Sequence, residues 1–175
     1  MKARLRMAFA QGRERTAAQD VMFLVQQLIQ VAARALSPGI NDPYTAMDCM
    51  NWLGSGLLDL AGRDMPDLCL YDEAQQVRVV APSLTFAGFA DTVFDQLRPY
   101  VSTDRNASVY MMALIERVAE MTADPVRREL LIAHAAALRQ ACTDALGHQR
   151  DMDQIESAFN RIVQLGAAPQ AARIS

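Results

Sequence analysis

Ser37-Pro38-Gly39-Ile40-Asn41-Asp42-Pro43 is the stretch that decides how this chain folds. Two prolines, a glycine and an Asn-Asp pair fall within seven residues, and Pro38 stops a helix that reaches it. Asp42 is placed to cap a following helix, with Pro43 at the first helical position, where a missing N–H costs nothing. Upstream, Val21, Leu24, Val25, Leu28, Val31, Ala32, Ala35 and Leu36 recur at three- and four-residue steps. Downstream, Met47, Met50, Leu53, Leu57, Leu58 and Ala61 form a second stripe. The seven residues are therefore a corner between two helices that bury their apolar faces.

Working outward, Thr16 and Gln19 read as a capping box for the first helix, with Asp20 in its first turn. In the second helix Gly54 and Gly56 flank Ser55, each costing about 1 kcal/mol relative to alanine. Close approach of a neighbouring helix explains such a pair, and a break in the helix is the other reading. Residues 62–67 form a loop. Leu68–Tyr71 and Val77–Val80 then read as two short strands around an Asp-Glu-Ala-Gln-Gln turn. A lone hairpin is marginal in water, so it is expected to lie on the helices or to pair with strands from elsewhere. Ser83 is a good cap for a third helix carrying Phe86, Phe89, Ala90, Val93, Phe94 and Leu97, with Pro99 near its end. Three more helices are expected: from about Arg105 to Thr122, from Asp124-Pro125 to Gly147, and from Asp151 to about Leu165. The fold class is mainly α, a compact bundle of five or six helices with one small β-hairpin inserted after the second. Its parts are a basic leading arm (1–15), a single helical domain (16–166) and a mobile tail (167–175).

Composition narrows the function classes. The chain has 175 residues, 51% of them hydrophobic, enough for a buried core. Its net charge of −3 offers no global field for nucleic acid. Within residues 1–15, however, Lys2, Arg4, Arg6, Arg13 and Arg15 face only Glu14, so the rest of the chain carries all of the acidic excess. Such an arm suits anionic lipid headgroups; a frayed, solvated terminus is the plainer reading. Cys49, Cys69 and Cys142 are widely spaced in apolar contexts, as reduced buried thiols in a cytosolic setting would be. The longest uncharged run, Val21–Ala33, is 13 residues and contains three glutamines, against the roughly 18–20 that a spanning helix needs. The chain as given is expected to be soluble.

No catalytic set emerges. His134 and His148 stand fourteen residues apart on a helical stretch, too far to share an ion, so no metal is expected. Gly54-Ser55-Gly56 lacks the strand-turn-helix setting of a nucleophile elbow, and Gly39 alone makes no phosphate cradle. No cofactor is implied. One candidate ligand site remains, at the corner, where the N-terminus of the second helix, Arg15, Arg34, Asn41, Asp42, Tyr44 and Asp48 gather in sequence. Against it, Asp42 as a cap already uses its oxygens on backbone N–H groups. Trp52 reads equally well as an interface anchor or a core edge.

Gly12-Arg13-Glu14-Arg15-Thr16, Gln19-Asp20, the run from Ala35 to Pro43, and Thr45-Ala46 together resemble a bacterial family of predicted membrane proteins, domain of unknown function 2254. The hairpin and the Phe89–Phe94 helix are similar to its later region, so the resemblance runs from about residue 9 to 165. It implies N-terminal transmembrane helices in the family's members, followed by a soluble C-terminal part to which this chain corresponds. It implies a place on the cytoplasmic face of the inner membrane, and brings no activity or catalytic residues. The function expected is an interaction, regulatory or oligomerisation module, partnered by copies of itself or other membrane-protein segments. A small-molecule or ion binding domain at the corner, with or without an enzymatic activity, is the alternative.

Overall fold

A computed structural model of the chain describes residues 20–64, 69–80, 84–146 and 149–167. The basic arm, the Thr16–Gln19 box, Ser83 and residues 168–175 of the tail lie outside them. Among the described residues six helices and one hairpin follow in order: α1 (Val21–Ala35), α2 (Pro43–Ala61), β1 (Cys69–Tyr71), β2 (Val77–Val80), α3 (Phe86–Val101), α4 (Arg105–Met121), α5 (Pro125–Ala145) and α6 (Gln149–Ala167).

Caps set most of the helix starts. Asp42 accepts from the Thr45 N–H at 3.1 Å, and Asp124 from Val126 at 2.8 Å, each followed by the proline that the sequence places there. Asp104 does the same for α4. Two starts differ from expectation. Asp20, not Thr16, caps α1 through the Phe23 N–H, and Thr85, not Ser83, caps α3 through Gly88. In both places neighbouring polar residues could all cap; the one chosen stands three residues ahead of a helical N–H once the apolar stripe has turned inward. The helix α3 runs through Pro99 to Val101, because a proline in the last turn sacrifices only one hydrogen bond.

One contiguous core draws on all six helices, from Val25 and Ile29 of α1 to Ile155 and Ile162 of α6. The central helix α4 packs against α2, α5 and α6, while α3 joins α1 to α5. Gly54 and Gly56 lie inside an unbroken α2 where α4 and α3 approach it, against Leu114 and Phe89. The end of α2 is capped from a distance. Arg127 of α5 donates to the carbonyls of Leu60, Ala61 and Arg63 at 3.0–3.1 Å, with its guanidinium over the Phe86 ring. A cation is well placed there, at the negative end of the helix dipole.

The hairpin stands apart. Its strands pair antiparallel, Cys69 opposite Val80 and Leu70 opposite Val79, with an irregularity before Tyr71. Asp72 closes the turn, accepting from Ala74 and Gln76 and pairing with Arg78 at 2.6 Å. These bonds hold the Asp72 carboxyl below its ordinary range, the backbone bond from Gln76 most strongly and the Arg78 guanidinium next. No residue of β2 is buried. Of the two placements expected for the hairpin, against the helices or paired with strands from elsewhere, the first is not seen for β2.

Candidate functional site

The corner between α1 and α2 is built mainly from backbone hydrogen bonds. Leu36 donates to Ala32, Ile40 and Asn41 both donate to Ser37, and Asp42 N–H reaches back to the Ala35 carbonyl at 2.8 Å. The Ser37 hydroxyl adds a 2.6 Å bond to Arg34 O. Asn41 takes the left-handed conformation, with φ at 51°, while Gly39 does not. Asparagine tolerates this region better than other residues with a Cβ, since its short amide bonds locally. Asn41→Gly is accordingly expected to leave the urea midpoint unchanged or raised. Asn41→Val should destabilise by about 1–2 kcal/mol, the strain of a branched residue at that φ. Chemical denaturation of both variants checks this.

Both carboxylate oxygens of Asp42 are engaged by Thr45, Oδ1 by its N–H and Oδ2 by its hydroxyl at 2.6 Å. The Thr45 hydroxyl, more than its N–H, lowers the Asp42 pKa from the ordinary carboxylate value. A depressed folded-state pKa gives stability that is present above the unfolded value and disappears as pH falls through the folded one. The cap is thus lost only in acid below the ordinary carboxylate range. Of the other proposed site residues, Arg15 lies outside the described residues, and Arg34, Asn41, Tyr44 and Asp48 are exposed. Tyr44, Asp48 and Trp52 follow one another at four-residue steps on α2, placing both aromatic rings on its outward side. Trp52 is thus no edge of the core.

Tyr44 also lines a shallow groove of about 380 Å³ with Met47, Arg105, Asn106, Val109, Tyr110, Ala113 and Gln154. A second depression of about 360 Å³ shares Val109, Ala113 and Gln154 and continues to Arg161. Arg161 is held there by Glu116, through bonds of 2.5 and 2.9 Å, which raise its pKa. No catalytic pair lines this furrow. The thiols are equally quiet. Burial raises Cys49 and Cys142, with Asp48 adding to the first. Cys69, on the exposed hairpin, is only half-buried, contrary to the buried thiol expected.

Sequence reasoning weighed His134 only against His148 and missed Asp91 and Asp95, which α3 and α5 bring together with it. Asp91 and Asp95 share a helix face at four-residue spacing, a visible signal, but the separation of 43 positions between Asp91 and His134 carries none.

Among the described residues no helix is long and apolar enough to cross a membrane. Two mycobacterial proteins, uncharacterized proteins of Mycobacterium bovis and of Mycobacterium tuberculosis, are each 31% identical to the chain over 163 residues, 93% of its length. The chain spans 30% of the length of these relatives. No solved structure matches it. The sequence pattern of the family described as predicted membrane protein, DUF2254, matches residues 1–117, and the chain belongs to that family.

Proposed function

We propose that this chain is the self-associating part of a predicted membrane protein, joining copies through β1–β2 on the cytoplasmic side. The observation that carries this is the uncovered ribbon. Leu70, Tyr71, Val77, Val79 and Val80 are 49–64% exposed, and among the described residues no further strand lies beside the outer edge of β2. Edges of this kind are satisfied by strand addition, and antiparallel pairing of β2 with its own copy satisfies a two-fold axis. The acidic turn, Asp72 and Glu73, is repelled by anionic lipid and so disfavours insertion in a membrane. The buried thiols Cys49 and Cys142, outside any disulfide, support a reducing compartment. The basic arm at 1–15 supports a surface beside anionic headgroups, in keeping with the excess of lysine and arginine on cytoplasmic flanks.

Sedimentation velocity over a concentration series tests it. The chain should pass from monomer to dimer, and Val79→Lys should keep it monomeric with an unchanged helical circular dichroism spectrum. A wild-type chain that stays monomeric at millimolar concentration, or a Val79→Lys variant that still dimerises, refutes the reading.

A further inference from the structure

We propose that Asp91, Asp95 and His134 form a binding site for a divalent transition-metal ion, between α3 and α5 and away from the hairpin. One donor atom from each of the three lies within 4.8 Å of the others. The His134 Nε2 atom stands 2.9 Å from Asp91 Oδ1, and its Nδ1 atom 3.6 Å from Asp95 Oδ1. An ion about 2.1 Å from each of two donors, held at roughly a right angle, sets those donors about 3 Å apart. The Nε2–Asp91 pair already has that separation. A single ion there takes one ring nitrogen, and the half-exposed Asp95 side chain, with an oxygen within 4.8 Å of the other donors, turns toward it as the third donor.

The setting is that of a ligand histidine. The imidazole is only 7% exposed and rests against the Phe94 ring, 5.1 Å between centroids, which fixes its plane. Its nitrogens look out between two carboxylates that are each half exposed, so water can complete the coordination from the solvent side. Neither aspartate is needed to cap α3, a role that Thr85 fills. Arg98 pairs with Asp95 at 2.7 Å, but this is a surface ion pair within one helix turn, weak enough to yield its oxygen to a doubly charged ion. One imidazole with two carboxylates suits manganese, iron, cobalt or zinc in the divalent state rather than a thiolate-seeking ion. Metal on these side chains would also tie α3 to α5, stabilising the fold by mass action.

Cobalt(II) is the probe. Titrating the 175-residue chain should give saturable visible absorption at one ion per chain, a raised melting temperature, and displacement by zinc. Asp91→Asn, at a half-exposed position that the core does not need, should weaken cobalt about 10–100-fold, the loss usual when a metal site is disrupted. His134→Gln should do the same; if it fails to fold, Asp91→Asn alone decides. Absence of saturable binding at submillimolar cobalt, or undiminished affinity in Asp91→Asn, overturns the site and leaves a plain His–Asp clasp between helices. Neither result bears on dimerisation through the hairpin.

Discussion

Phe94→Ala should lower the unfolding free energy of the chain by about 3–5 kcal/mol, the largest single-residue effect expected in this fold. Phe94 heads the fully buried side chains by volume and is 2% exposed. It stands on the α3 face turned toward α5, with its ring tilted 49° to that of His134. Truncation removes the transfer free energy of a whole ring and leaves a cavity that helices on several sides cannot close together. A domain of this size has about 5–15 kcal/mol in all, so the variant should melt about 6–20 °C lower or populate the unfolded state visibly. Urea unfolding followed by circular dichroism measures it. Phe94→Leu, which refills most of the volume, should recover more than half of the loss. A cost below about 1 kcal/mol for the alanine variant would mean that α3 does not dock on α5 through this residue. The same truncation frees the His134 ring, so cobalt affinity should fall with it.

Local chemistry was readable from the chain and long-range convergence was not. Asp42-Pro43 and Asp124-Pro125 announce helix starts because cap and proline act within one turn. The hairpin is legible for a similar reason: Val77, Arg78 and Val79 alternate, and Asp72 folds the turn with its own neighbours. Its exposure was not legible, since alternation says that a strand has faces and not what covers them. Asp20 against Thr16, and Thr85 against Ser83, show the limit of cap reading: several acceptors qualify, and tertiary packing selects one. Arg127 bonds to carbonyls more than sixty residues away, and His134 meets Asp91 across a comparable gap. A single charged residue in a helical stretch looks alike whether it caps a distant helix or faces solvent. The candidate ligand residues at the corner were gathered by proximity in sequence. The structure instead spends Asp42 on Thr45 and turns Tyr44 toward the furrow.

The glycines of α2 offer the second large effect, one that isolates how close two helices approach. A Cβ built at Gly54 runs into Leu114 Cδ1 and comes within 3.1–3.2 Å of that side chain's Cδ2 and Cγ atoms, while at Gly56 it meets Phe89 Cζ at 3.0 Å. Alanine at Gly54 gains about 1 kcal/mol of helix propensity, enough to offset much of the crowding if Leu114 changes rotamer. Valine cannot be absorbed in that way. Its two Cγ atoms extend into space that Leu114, itself 4% exposed, already fills. Gly54→Val should therefore cost about 2–3 kcal/mol, at the upper end of what overpacking does. Leu114→Ala alone should also destabilise, by about 2–4 kcal/mol, through the cavity it opens. Combined, the two changes should be less harmful than their sum by at least about 1 kcal/mol, because the valine then occupies what the leucine vacates. Strict additivity in that double-mutant cycle would show that α2 and α4 do not meet through this pair, and that Gly54 is tolerated for some other reason than proximity.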